Sequence, residues 1–190
     1  MEEQVTGIIL AGGQSRRMGQ DKALVKLQQK TLLEMTAETI SAVFRHKALV
    51  TGEKAKYQKL GWNIILDQYP GCGPLSGIQA ALSQVKTPYI FVAACDMPYI
   101  KTVQIQRLLN LIDDWDVILP YRNGHWEPLC GLYHQNCLKP IEAVLQQKKY
   151  RVESFFPQVR VKQVLWEEQD LSLSNINTPQ ELAQMQQKFK

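Results

Sequence analysis

The chain lacks paired or metal-spaced cysteines. Cys72, Cys95, Cys130 and Cys137 are separated by 23, 35 and 7 positions, which excludes a C-x-x-C pair and any zinc-site spacing. Reduced thiols in a cytoplasmic protein are the economical expectation. Long apolar runs are also missing. Tyr89 to Cys95 falls far short of the roughly 20 residues a spanning helix requires, so no membrane association is expected. The amino end, Met1 to Gln4, is acidic and leads straight into a strand pattern, without the basic and apolar regions of a secretion signal. Charge of either sign is modest. A formal net charge of +4 and a pI near 8.8 favour polyanionic small molecules but do not amount to a nucleic-acid surface. The densest basic stretch, Lys148, Lys149 and Arg151, carries no interleaved series of stacking aromatics and reads as a solvated helix end.

What the chain does have is apolar content and alternation. Its 190 residues are 45% hydrophobic, enough for one compact domain over residues 1–190 without staples. Val5 to Leu10 has the continuous apolar character of a strand buried on both faces. Leu32 to Phe44 repeats apolar residues at helical spacing behind a capping Thr31. Ala48 to Thr51 reads as a strand, Glu53 to Leu60 as a helix stopped by Gly61, and Trp62 to Leu66 as a third strand. A helix resumes from Ser76, and Tyr89 to Ala94, Val103 to Ile112 and Asp116 to Leu119 continue the rhythm. Asn123-Gly124 marks a hairpin turn. The pattern predicts an α/β fold, a three-layer sandwich with a mostly parallel central sheet, and a ligand at the carboxyl ends of its strands. Tyr89, Phe91, Trp62 and Trp115 are expected in the core, and Phe155 and Phe156 as anchors of a connection.

The chemically loaded stretch is residues 5 to 22, VTGIILAGGQSRRMGQDK. The first strand breaks into Gly12 and Gly13, which let backbone N–H groups approach a ligand. Ser15, Arg16, Arg17 and Lys22 then supply a hydroxyl, two guanidiniums and an ammonium, a set suited to a triphosphate. A P-loop is excluded, because Gly13 to Gly19 encloses five residues rather than four and is followed by Gln20. The dinucleotide fingerprint G-x-G-x-x-G fails as well. The thirteen residues L-A-G-G-x-S-x-R-M-G-x-D-K, from Leu10 to Lys22, closely resemble the signature loop of the molybdenum cofactor guanylyltransferases, which share a Rossmann-like nucleotidyltransferase fold. The resemblance implies that Leu10, Ala11, Gly12 and Gly13 bind GTP. It also implies that Arg17 and Lys22 act on its phosphates.

Three further segments match that family in the expected order. Asp67 follows the third strand and precedes Gly73-Pro74-Leu75-Ser76-Gly77. By resemblance it accepts from N1 and N2 of guanine, although a carboxylate also accepts from the amino group of cytosine. Asp96, in Cys95-Asp96-Met97-Pro98 at the end of a buried strand, matches the family's Mg²⁺ ligand and GTP-binding carboxylate; a turn or cap residue is the local alternative. Ser174 to Leu182 contains a capping box, Thr178 with Glu181, that accounts for itself. It leaves Asn175 and Asn177 over, and the resemblance makes both molybdopterin-binding and Asn177 also a metal ligand. His125, Trp126 and Glu127 fall where the family has its pterin-side wall, or else at an exposed hairpin tip.

The implied activity is transfer of GMP from GTP to molybdopterin with Mg²⁺, releasing pyrophosphate. Proteins that deliver the acceptor or take the product are implied partners, and no nucleic acid or membrane is. Three alternatives remain at this point. A cytidylyltransferase usually reads L-A-A-G in place of Leu10-Ala11-Gly12-Gly13, a sugar-phosphate nucleotidyltransferase usually has a different loop, and a nucleotide-binding adaptor would keep the fold without turnover.

Overall fold

The structure, a computed structural model, describes residues 3–12, 21–69, 71–176, 178 and 180–183. In β1 (Val5–Leu10) every residue but the last is buried, as expected of a strand with helices on both sides. A short antiparallel hairpin of β2 (Lys26–Leu27) and β3 (Lys30–Thr31) leads into α1 (Leu32–Val43). The expected Thr31 cap forms a full capping box. Thr31 Oγ1 accepts the Glu34 N–H at 3.1 Å, and the Glu34 carboxylate accepts the Thr31 N–H at 2.7 Å, satisfying two groups that a helix start leaves open.

Next come β4 (His46–Thr51) and β5 (Asn63–Leu66), joined by a 3-10 segment over Lys54–Leu60. The helix expected over Glu53 to Leu60 forms there, with 3-10 rather than α geometry. Glu53 gives no side-chain cap, and a single uncapped turn or two does not repay the cost of nucleating an α-helix. Gly61 ends the segment at φ 70°. Helix α2 (Pro74–Gln84) starts two residues earlier than Ser76, because Pro74 takes the first helical position, where its missing N–H costs nothing.

The chain continues through β6 (Tyr89–Ala94), α3 (Thr102–Leu109), β7 (Val117–Arg122), β8 (His125–Trp126), β9 (Cys130–His134), α4 (Leu138–Gln146) and β10 (Val161–Leu165). The sheet order is β10-β7-β9-β6-β1-β4-β5, with β8 paired to β7. Parallel pairing joins β1 to β4 and β6, β4 to β5, and β10 to β7. Strand β9 runs antiparallel between β6 and β7. The mostly parallel sheet is therefore borne out, with one reversed strand inside it. The reversal begins at the expected hairpin, where Asn123 and Gly124 adopt φ 52° and 80°, the left-handed pair that a tight I′ connection needs.

Alternate residues of the strands face opposite layers. Val5, Ile9, Phe91 and Ala93 pack with Ile40 of α1 and Ile105 of α3, while Ile8, Val50, Ile90 and Val92 pack with Ile78 of α2 and Ile141 of α4. This is the expected three-layer sandwich. Tyr89 and Phe91 are buried as expected, and Phe155, expected to anchor a connection, is fully buried. Trp62 and Trp115 are only half-buried, each lying under a lysine, Lys47 and Lys162 respectively; an indole that covers a layer edge can take a cation on its open face. Because β5, β4, β1 and β6 are mutually parallel and adjacent, their carboxyl ends open on one edge.

Candidate active site

That edge collects most of the residues singled out by sequence. At the end of β1 the backbone stays pinned on both sides: Leu10 O accepts the Cys95 N–H at 3.2 Å, and the Ala11 N–H donates to Val50 O at 2.8 Å. Ala11 is fully buried and Gly12 exposed, so the chain leaves the sheet at Gly12. Among the described residues, a Cβ built on Gly12 would meet Gly52 N and Thr51 Cα first, at 3.6 and 3.7 Å, which is ordinary contact.

Asp96 lies two residues past β6. Its side chain is 13% exposed, and Lys22 Nζ stands 3.4 Å from Oδ2. Burial raises the Asp96 pKa, and Lys22, though it opposes the rise, does not cancel it. The neighbouring Cys95 thiol is pushed far up by burial and stays neutral. Lys22 is placed by its own neighbour. Asp21 caps the short turn Lys22–Leu24 by accepting the Ala23 N–H at 3.1 Å, and the Tyr57 hydroxyl donates to Asp21 Oδ2 at 2.7 Å. The carboxyl-terminal segment closes on the same spot, where the Ile176 N–H donates to Asp96 O at 3.1 Å. Ile176 itself packs with Val25, Leu27 and Leu32. Asn175 Oδ1 is thus next to the Asp96 turn, buried and without a hydrogen-bond partner among the described residues. The Thr178 and Glu181 capping box forms, with both bonds at 3.2 Å.

Asp67 sits at the far side of the edge, its N–H on Thr51 O at 3.0 Å. One carboxylate oxygen accepts the Tyr69 N–H at 2.9 Å and the other the Ser76 hydroxyl at 2.8 Å. From Asp67 to Asp96 is three strand steps of about 4.8 Å, roughly 14 Å. Gly13, Ser15, Arg16, Arg17 and Asn177 lie outside the described residues.

Two features of this edge carry little local signal in the sequence. Lys148, Lys149 and Arg151 are solvent-exposed, but their segment lies against Gly73, where an added Cβ would stand 3.7 Å from Tyr150 O. Only the density of basic residues hinted at this. Ser76, taken as a helix start, is a buried partner of Asp67. Conversely, Trp126 is committed to packing, edge-on to Tyr121 and Phe156, and Glu127 is held by Arg122 at 3.0 Å, which leaves His125 as the exposed member of that trio. A cleft of about 1090 Å³ between β2–β3, α1 and Pro98 to Lys101 contains none of the expected site residues.

The arrangement brings a buried, only partly offset carboxylate and an ammonium together at the strand ends, where sheets of this kind take their ligands. The family model described as MobA-like NTP transferase domain matches residues 7–161. The chain belongs to this family. It is 36% identical over 185 residues to the "Probable molybdenum cofactor guanylyltransferase" of Pelotomaculum thermopropionicum, covering 94% of this chain and 90% of that one. It is 35% identical to the "Molybdenum cofactor guanylyltransferase" of Desulfosudis oleivorans, covering 99% and 97%. The solved structure of molybdopterin-guanine dinucleotide biosynthesis protein A from Archaeoglobus fulgidus superposes with a TM-score of 0.83 at 26% identity, covering 97% of this MobA-like chain and 98% of its own. The protein is thus a nucleotidyltransferase by family, with the Rossmann-like fold of that class.

Proposed function

We propose that this protein transfers GMP from GTP to molybdopterin, forming the guanine dinucleotide of the molybdenum cofactor and releasing pyrophosphate, as one Mg²⁺-dependent cytoplasmic domain spanning 1–190. The observation that carries the proposal is the meeting, at one strand edge of a MobA-like chain, of Leu10 to Gly12, Lys22, Asp96 and the segment through Asn175. GTP would lie across the strand ends, with its base toward Asp67 and its phosphates toward Lys22, Asp96, Gly13 and Arg17.

The residues present fit a magnesium ion. Asp96 is a buried carboxylate whose negative charge Lys22 only partly offsets. No cluster of three or more His, Cys, Asp or Glu able to hold a metal occurs among the described residues. Magnesium asks for no such cage, since it takes one or two carboxylates together with phosphate oxygens and water. Asp96 would hold it, with Asn177 as a weaker ligand, and bound there it would neutralise charge on the transferring phosphate.

The remaining work falls to the chain itself. The attacking group is the terminal phosphate of molybdopterin, an anion at neutral pH, so no side chain has to remove a proton. Lys22 and Arg17 would counter the charge around the α-phosphate, and the site's main task is to hold it in line with the acceptor. Asn175, with its partnerless buried oxygen, is an acceptor suited to a pterin N–H. Lys148, Lys149 and Arg151 give the second polyanion a cationic approach. Proteins that deliver molybdopterin or accept the product would dock near this edge. No helix among the described residues is long and apolar enough to cross a membrane.

A nucleotide panel with molybdopterin as acceptor tests the proposal. Pyrophosphate release is expected with GTP and Mg²⁺, and far less with CTP. Preference for CTP would make the protein a cytidylyltransferase, and nucleotide binding without release would make it a binder.

A further inference from the structure

We infer that Ser76 is the positioning residue that turns Asp67 into a fixed two-point acceptor for the guanine edge; the inference rests on the reading of Asp67 as the base-binding carboxylate. A carboxylate on a loop turns about its last torsion, and a single donor does not stop it. Asp67 has two donors, from different directions and on different oxygens. The Tyr69 N–H, from its own loop, reaches Oδ1 at 2.9 Å, and the Ser76 hydroxyl, from the first turn of α2, reaches Oδ2 at 2.8 Å. Ser76 is fully buried, so water does not take over its role. Its single proton also has Gly73 O within 2.8 Å, and the charged oxygen is the stronger acceptor. The backbone end of Asp67 is held too, by Thr51 O.

The chemistry of what is left over selects the base. Each carboxylate oxygen offers about two acceptor sites, so one remains free on each once Tyr69 and Ser76 are served. Guanine presents two parallel donors, N1–H and the N2 amino group, which match a fixed pair of acceptors in the manner of a bidentate fork. Cytosine presents a donor beside an acceptor, so a carboxylate that cannot turn sets its second oxygen against N3 and repels it. A freely turning carboxylate would present one oxygen and tolerate either base. Ser76 therefore acts through Asp67 on selectivity, without touching the reacting atoms.

The test is Ser76→Ala, with Ser76→Cys as a second variant of nearly the same volume whose thiol is a weak donor. Both are assayed in the full-length protein with molybdopterin, Mg²⁺ and either GTP or inosine triphosphate, which lacks the 2-amino group. In both variants KM for GTP should rise about 5- to 10-fold, with kcat within about 2-fold of wild type. The GTP-to-inosine-triphosphate ratio of kcat/KM should fall by a similar factor, because the second contact is the one a turning carboxylate loses. Equal losses on both nucleotides accompanied by a lower melting temperature would assign Ser76 to helix packing and overturn the inference. Asp67→Asn separates the layers. If it collapses the ratio while the Ser76 variants leave it intact, the base assignment stands and the role of Ser76 falls; if it leaves the ratio intact, the base assignment itself is wrong, and this inference goes with it.

Discussion

Asp96 and Asp116 lie at opposite edges of one sheet, Asp96 just beyond the carboxyl end of β6 and Asp116 just before β7, which runs the same way. Their side chains are almost equally exposed, 13% and 10%, but Asp96 is set deeper in the protein, where burial weighs more heavily on its charge. Their partners differ as well. Asp116 accepts from Asn136 Nδ2 at 2.8 Å, from the Arg160 N–H at 2.9 Å and from Arg160 Nε at 3.5 Å. Burial pushes its carboxyl up, but these donors outweigh it and hold the pKa below the usual value. Asp96 has Lys22 at 3.4 Å, burial prevails, and the pKa is raised. A carboxylate saturated by its own protein ties elements together, here β7 to the start of β10. One left with partly uncompensated charge is a candidate to receive a cation, which is the role proposed for Asp96.

The comparison breaks most directly at Asp96. Asp96→Ala should lower pyrophosphate release from GTP and molybdopterin by at least about 10²–10³-fold, the usual scale for removing a group that stabilises developing charge in a transition state. Its circular dichroism should match wild type and its melting temperature should be no lower, because the group removed is one whose charged form burial disfavours. Activity near normal would take Asp96 out of the mechanism, and a collapsed fold would place it with Asp116.

Lys22→Ala removes the other half of the pair. Triphosphate binding should weaken by about 1.5–3 kcal/mol, the range for hydrogen bonds to charged groups, whereas guanosine, which has no phosphates, should bind almost as before. Calorimetry with both ligands reads the difference directly, and equal losses would move Lys22 away from the phosphates.

At the lower edge the expected loss is of stability, not activity. Asp116→Asn should cost about 1–3 kcal/mol near neutral pH, since donors from Arg160 lose a charged acceptor, and kcat per folded molecule should hold. The pH dependence has a defined sign. A carboxylate whose pKa is depressed by folding contributes stability above its unfolded value, about 3.9, and loses that contribution as pH falls through the lower folded value. The gap in melting temperature between wild type and Asp116→Asn should therefore be full at pH 6 to 7 and shrink as the solution is acidified below about pH 4. A gap that is constant with pH would mean that shape, rather than charge, is what Asp116 supplies.

Much of the upper edge was legible in the sequence because its signals are local. The apolar run into Gly12, the Thr31 cap, the Asn123-Gly124 turn and the Thr178 capping box each lie within a few residues, and each forms where expected. The aspartates show where legibility ended. Both read as carboxylates beside apolar strands, and what separates them comes from far along the chain: Arg160 is 44 residues from Asp116, and Lys22 is 74 from Asp96. Strand β10, which brings Arg160 there, is half-exposed and was not anticipated. The reversal of β9 likewise depends on its pairing with β6 and β7. Ser76 looked like a helix start because its partner, Asp67, lies across a turn of glycines and a proline, where spacing alone carries no directional information.

The smallest expected effect is the most discriminating for the upper edge as a ligand site. Glycine at position 12 has two possible reasons to be glycine: room for the base, or room for the protein's own backbone. The second predicts that an added methyl strikes the sheet. It does not, because the nearest atoms among the described residues, from Thr51 and Gly52, stand at 3.6–3.7 Å and the residue is exposed. The sheet therefore does not require glycine here, and the proposal assigns the effect of Gly12→Ala to the nucleotide. A two-ring purine with an amino group needs the space more than a single-ring pyrimidine, and one methyl in a close-fitting pocket discriminates by about 1–3 kcal/mol. The GTP-to-CTP ratio of kcat/KM should drop roughly 10-fold without reversing, and the melting temperature should stay within a degree or so of wild type. Equal losses on both nucleotides would say that the loop needs glycine for its own path, and an unchanged ratio would remove Gly12 from base selection and leave that task to Asp67.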